Sequence, residues 1–295
     1  MENERKLKLL ETMKKFNKDQ KEIVFDFADT SPQKEVIPFG IKELDDFFGG
    51  GVPLRKYTVD YGAEDTGKST RALHLVANCQ KLGKIACYID MERKFDPMRA
   101  EQFNVNLKEL VLIQSAKTAE QAMDAIRLLA QDKVVDLVIV DSIQALSSKA
   151  EQETKTGQMK SIDDDTMALL ARKLGQFFRM TSADIFRANM AVYLIGQVRT
   201  QGLGSFFVHG GLSGGNALHH WMSICTFSRK GQKSDSPQKT YKEYYLDPDG
   251  KVRFSSKNEE IGFDCVLKIE KSHISDSAKK NQEIHIPFYY DSGFI

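Results

Sequence analysis

Hydrophobic and polar positions along this chain change period repeatedly, and the changes predict its elements. Residues 57–61 read as a strand and residues 70–82 as a helix. Apolar runs at 84–90, 110–114, 134–141 and 190–197 predict further strands, and residues 96–103, 118–131 and 164–187 predict the helices between them. Such alternation predicts a parallel sheet with right-handed helical crossovers and ligands at the carboxyl ends of the strands. Ahead of this core, Leu9, Leu10, Met13 and Phe16 form one apolar stripe, so residues 1–20 predict an amphipathic helix, followed by a polar linker around residues 30–33. Residues 40–48 read as a short helix stopped by Gly49-Gly50-Gly51 and Pro53. Beyond residue 215 the pattern turns to strands without long helices, at 222–228, 242–246, 251–254, 263–270 and 283–290. These predict antiparallel hairpins extending the sheet, with Asp249-Gly250 as a turn and the polar run 230–240 as a mobile loop. The expected division is 1–33 for the helix and linker and 34–295 for the α/β core.

Composition narrows the class. With 295 residues, 41% apolar and 28% charged, the chain can bury one sizeable core. A net charge of +1 exerts no global pull on nucleic acid, so any DNA binding rests on locally gathered cations. The four cysteines, Cys79, Cys87, Cys225 and Cys265, include no C-x-x-C pair and read as reduced core thiols of a cytoplasm-like compartment. No apolar run is long enough to span a bilayer, no signal-peptide pattern appears, and no repeat of fixed period is visible.

The candidate chemistry centres on Gly62-Ala63-Glu64-Asp65-Thr66-Gly67-Lys68-Ser69, which fits G-x-x-x-x-G-K-[ST] at every fixed position and lies between a strand and a helix, as phosphate binding requires. Glycines let the backbone N–H groups converge on phosphate oxygens, and the helix start adds its partial positive charge. Lys68 would reach the terminal phosphates of a nucleoside triphosphate, and the Ser69 hydroxyl would bind Mg²⁺. Asp141 ends the apolar run 134–141; a strand-ending aspartate is common, but paired with the upstream loop it becomes a candidate to orient Mg²⁺. Glu92 ends a second strand near the same edge, either as the carboxylate that activates water or as a surface glutamate. Gln197 ends a third, either sensing the γ-phosphate or closing the strand with ordinary hydrogen bonds.

Residues 198–216 are glycine-rich yet carry Arg199 and the adjacent Phe206 and Phe207. A cation and aromatics on a flexible loop suit a single-stranded nucleic-acid backbone, although an ATPase lid would look similar. A second loop, 149–165, precedes the helix on which Arg172 and Arg179 share a face, aimed at phosphates or at solvent.

Taken in order, these parts resemble the RecA-type homologous recombinases from about residue 37 to the end of the chain, most like a bacteriophage-encoded version. The resemblance is carried by the phosphate loop 62–70 with Thr70 at its end, by Ile89-Asp90-Met91-Glu92 with Phe95-Asp96-Pro97, by Val138-Ile139-Val140-Asp141-Ser142, by Ile195-Gly196-Gln197-Val198-Arg199, and above all by Gly214-Gly215-Asn216-Ala217-Leu218. It implies a RecA-like ATPase core using ATP and Mg²⁺, with Glu92 as catalytic carboxylate, Asp141 as the Mg²⁺-associated acid and Gln197 as a switch to the second DNA loop. Loops 149–165 and 198–213 become the DNA-binding loops, with Arg172, Arg179 and Arg199 on phosphates. The resemblance also implies a helical filament in which Lys271 acts on the γ-phosphate of a neighbouring subunit, and it makes the N-terminal helix the polymerisation element. Partners so implied are single-stranded DNA, homologous double-stranded DNA, further copies of the chain, and loading, mediator or single-strand-binding proteins. The function implied is homologous pairing and strand exchange by a DNA-dependent ATPase; a RecA-like mediator without its own filament and a hexameric helicase-type motor are the alternatives. Three departures stand out: His273 replaces a second trans-acting lysine, Arg99 stands where relatives stack a tyrosine on adenine, and His219-His220 occupy positions that couple subunits. The separate C-terminal domain of bacterial members is expected to be absent.

Overall fold

The computed structural model describes residues 2–18, 35–145, 167–198, 220–246, 252–273 and 282–294. Residues 1–35 and 36–295 form two separate units. The first contains α1 (Glu2–Lys18), whose last turn carries Lys15 and Lys18 where the helix dipole favours cations. Leu7, Leu9 and Phe16 on α1 are exposed.

The second unit is built on a nine-stranded sheet. Its parallel part comprises β3 (Tyr57–Gly62), β4 (Ala86–Asp90), β5 (Leu110–Ile113), β6 (Leu137–Asp141), β7 (Ala191–Gln197) and β8 (Ile224–Lys230), in the order β8-β3-β7-β6-β4-β5. The antiparallel strands β11 (Gly262–Ser272), β12 (Glu283–Tyr289) and β13 (Gly293–Phe294) continue from β8. Before them, β1 (Val36–Ile37) and β2 (Val52–Pro53) form a small separate pair, which the periodicity did not predict because two residues carry no period.

Alternation within each strand creates two cores. Tyr88, Ile139 and Tyr193 pack with α2 (Lys42–Phe48), α3 (Lys68–Lys81) and α4 (Pro97–Gln102). Cys87, Ile89, Val138 and Val192 pack with α5 (Ala119–Gln131) and α6 (Met167–Arg187). The expected α/β class therefore holds. Helix ends follow local chemistry: the Thr118 side chain caps α5 through the Gln121 N–H, the Asp96 side chain caps α4, and Gly49 in the left-handed region ends α2.

Two expectations need correction. The first strand beyond residue 215, β8, joins the sheet in parallel with β3, because it returns through a long crossover and not a hairpin. Among the described residues, the strands β9 (Gln238–Leu246) and β10 (Val252–Glu260) pair only with each other and extend no sheet. The region 230–240 is likewise largely ordered: β8 runs to Lys230, a 3₁₀ turn covers Lys233–Asp235, and β9 starts at Gln238. The polar residues that suggested a loop belong to an exposed ribbon, where neither face needs to be apolar. The Asp249-Gly250 turn lies outside the described residues. All four cysteines are free and buried. Among the described residues, no helix is long and apolar enough to cross a membrane.

Candidate nucleotide site and its link to the sheet edge

The phosphate loop runs from the end of β3 into α3. Gly67 has φ 77° and precedes the first helical residue, Lys68. A Cβ at Gly67 would sit 2.8 Å from the Phe294 ring, so both its conformation and its packing call for glycine. A Cβ at Gly62 would collide with the Ser228 carbonyl of β8. Thr66 Oγ1 lies 3.0 Å from Ser228 Oγ, a second tie between loop and β8.

Beneath the loop lies an ion pair that the sequence reading did not single out. Arg71 and Asp60 are both fully buried; Arg71 Nε donates to Asp60 Oδ2 at 2.8 Å, and Arg71 Nη1 donates to the Thr66 carbonyl at 2.9 Å. Tyr193 OH on β7 donates to the same carboxylate oxygen at 2.7 Å. The pair fastens α3, β3 and β7 to the loop backbone.

Lys68 is buried, which lowers the pKa of its amine. The amine donates to the carbonyls of Gly62, at 3.3 Å, and Ala63, and lies 3.2 Å from Thr66 Oγ1. Ser69 Oγ donates to Asp141 Oδ2 at 2.7 Å, and Tyr88 OH donates to the same oxygen at 2.6 Å. Burial raises the Asp141 pKa, and these two hydrogen bonds only partly offset it, so a cation there would meet a carboxyl short of countercharge. A hydroxyl and a carboxylate side by side are hard oxygen donors of the kind Mg²⁺ takes, so the residues present fit that ion. Among the described residues, no group of three or more His, Cys, Asp or Glu could hold a metal alone. A metal bound here would therefore also need phosphate or water oxygens.

Glu92, just beyond β4, joins three elements. Its Oε1 accepts from Ser142 Oγ at 2.5 Å and from Gln197 Nε2 at 3.0 Å, while Lys94 Nζ lies 2.7 Å from Oε2. Burial pushes the Glu92 pKa up, but the hydrogen bonds from Lys94 and Ser142 outweigh it and hold the carboxyl below its usual range. Asp90, at the end of β4, accepts from the Phe95 N–H and from Gln114 Nε2, both at 2.8 Å, which fixes the turn carrying Glu92 and Lys94.

These groups line one cleft of about 530 Å³, bounded by residues 64–70, Glu92, Lys94, Asp141 and Gln197, with Arg99, Phe288 and Tyr290 at its far side. The volume suits a nucleotide. Arg99 Nη1 donates to the carbonyls of Tyr290 and Asp291 at 3.2 and 3.3 Å, and its guanidinium lies 4.7 Å from the Phe103 ring centroid.

Other predicted residues fall elsewhere. Lys271 does not line the cleft; it is buried on β11, where its amine donates to the His220 carbonyl at 2.9 Å. Arg172 and Arg179 are exposed on α6, opposite the face that buries Leu174 and Phe178. Arg199, Phe206, Phe207, Gly214, Gly215 and Asn216 lie outside the described residues.

A phosphate loop between a parallel strand and a helix, with an acid at the end of β6, one strand removed from β3 across β7, defines an α/β protein of the P-loop class. The RecA N-terminal domain family matches residues 6–294, and the chain belongs to it. The chain is 38% identical over 192 residues to Protein RecA of Methylococcus capsulatus, covering 64% of this chain and 53% of that one. It is 37% identical over 205 residues to Protein RecA of Francisella philomiragia, covering 69% and 55%. Against Protein RecA of Thermus aquaticus it is 32% identical over 263 residues, covering 88% and 68%. The matched stretch thus spans little more than half of the first two relatives.

Proposed function

We propose that this chain is an ATP-dependent recombinase, of the bacteriophage type, that forms helical filaments on single-stranded DNA and promotes homologous pairing and strand exchange. Family membership supports the class. The observation that carries the reading is the 3.0 Å contact between Gln197 Nε2 and Glu92 Oε1. It joins the cleft to the strand end that leads into residues 198–213, the expected second DNA loop. A change at the γ-phosphate that moves Glu92 must then be felt by Gln197.

In this reading Gly62 to Thr70 cradle the triphosphate, Lys68 turns from the loop carbonyls to the phosphates, and Arg99 borders the base. Ser69 and Asp141 would hold Mg²⁺, which would supply positive charge to offset that of the phosphates. Glu92 orients water and accepts its proton as the water oxygen bonds to the γ-phosphorus and the bridging bond breaks, with its electron pair leaving on ADP. Lys271 leaves the His220 carbonyl to act on a neighbour's γ-phosphate, so assembly and hydrolysis are coupled. The exposed Leu7, Leu9 and Phe16 of α1 dock on an adjacent copy. Arg172, Arg179 and Arg199 take DNA phosphates, Phe206 and Phe207 the bases, and Gly214, Gly215 and Asn216 close the loop. DNA partners are single-stranded and homologous double-stranded, with loading and single-strand-binding proteins as helpers.

Electron microscopy with single-stranded DNA and a non-hydrolysable ATP analogue tests this. Long helical filaments are expected. Closed rings would favour a helicase-type motor, and isolated monomers a mediator.

A further inference from the structure

Lys94 is not used by the scheme above, yet its amine is bonded to the carboxylate on which that scheme depends. The cleft is lined by six acidic side chains and only four basic ones, Lys68, Lys94, Arg99 and Lys230, although it is to receive a polyanion. Of these four, Lys68 is buried among loop carbonyls, Arg99 is bonded to the carbonyls of Tyr290 and Asp291, and Lys230 lies 5.0 Å from the Phe263 ring. Lys94 differs in pairing with a carboxylate of the cleft, and 76% of its side chain is exposed while its partner Glu92 is only 17% exposed. The ammonium therefore reaches into the cleft from solvent on a flexible stem, and it is held there by one carboxylate oxygen.

We propose that Lys94 is a latch exchanged between Glu92 and the γ-phosphate. Lys94 occupies Glu92 Oε2, while Ser142 and Gln197 occupy Oε1, so both carboxylate oxygens are engaged. A terminal phosphate carries more charge than a carboxylate and draws the ammonium across the cleft. That transfer frees Oε2 to take the proton of the attacking water, and it gives the γ-phosphate a cation from the same chain. ADP lacks the group that draws the lysine away, so with ADP the latch stays on Glu92. Arg93, in the left-handed region at φ 57°, and the Phe95 N–H bonded to Asp90 fix the backbone on both sides of Lys94, leaving its side chain as the moving part.

The inference rests on reading the cleft as an ATP hydrolase, and its test separates the two. Fluorescent ADP and a non-hydrolysable ATP analogue are titrated into wild type, Lys94→Met and Lys94→Arg, and ATP turnover is measured on the same samples. ADP affinity should stay within about twofold in all three, which also reports folding. Analogue affinity should fall roughly tenfold in Lys94→Met alone, with kcat reduced and Lys94→Arg restoring most of both. If wild type turns over ATP but Lys94→Met keeps the wild-type ratio of analogue to ADP affinity, Lys94 is a surface ion pair and the latch is wrong. If wild type binds the analogue but does not hydrolyse ATP even with single-stranded DNA, the hydrolase reading fails while the binding ratio still judges the latch.

Discussion

Replacing Arg71 by methionine tests the buried support of the phosphate loop. The Asp60 carboxylate is inaccessible to solvent, its Oδ1 has no hydrogen-bond partner among the described residues, and without Arg71 only the Tyr193 hydroxyl remains on Oδ2. Removing one partner of a buried pair costs about 3–5 kcal/mol, because the other charge is left uncompensated. For a domain of this size each kcal/mol moves the melting temperature about 2–4 °C, so Arg71→Met should melt roughly 6–20 °C below wild type. The substitution also removes the donor to the Thr66 carbonyl, and a lost charge-assisted hydrogen bond within the loop should weaken nucleotide binding by roughly tenfold or more. The double variant Arg71→Met with Asp60→Leu removes the stranded charge. It should recover most of the stability, since apolar replacement of a whole buried pair is often neutral, but not the nucleotide affinity. Thermal melts and fluorescent-nucleotide titrations measure the two effects separately. A single variant melting within about 2 °C of wild type, or a double variant no more stable than the single, would refute the reasoning.

Three further outcomes are expected. Lys68→Ala should lose ATP-dependent assembly on DNA, read by sedimentation; normal assembly would remove Lys68 from the phosphate site. Glu92→Gln should keep filaments but lower ATP turnover by a factor on the order of 10²–10⁴, the usual contribution of a general base, and an unchanged rate would exclude Glu92 from the chemistry. His74, packed 5.0 Å from the Phe103 ring, has its pKa pushed down to about 4, first by burial and then by Lys81. Its folded form resists protonation, so stability is fully present above the ordinary histidine pKa and is lost as pH falls towards the folded value. Between pH 7.5 and 5 this amounts to about 2 kcal/mol, which should be absent in His74→Leu when both are unfolded in urea; parallel losses in the two proteins would contradict it.

The fold was legible where period and burial agree. Runs such as 134–141 are apolar because both faces of β6 are covered, and the helices between such runs repeat at the period of an amphipathic surface. The ribbon β9–β10 was misjudged because strands with two exposed faces need no alternation. At the site, Lys68, Ser69, Asp141, Glu92 and Gln197 were each marked by a strand end or by the loop motif, and the structure gathers them around one cleft. Arg71 and Asp60 were passed over, though each left a trace: Asp60 interrupts the fully buried strand β3, and Arg71 sits among buried residues of α3. A charge in each of two buried segments is a signal for an ion pair. Ser142 and Lys94 left no such trace, because the Ser142 contact with Glu92 depends on how β4 and β6 lie side by side and the Lys94 contact on how the turn after β4 folds.

The central claim is that triphosphate at the cleft controls the grip on an unpaired strand through Glu92 and Gln197. Fluorescence anisotropy of a labelled single-stranded oligonucleotide, titrated with the protein plus non-hydrolysable ATP analogue, plus ADP, or without nucleotide, tests it directly. The analogue should tighten binding at least about tenfold over the other two conditions, within the range of coupling energies between linked sites. Equal affinity in all three would contradict the account.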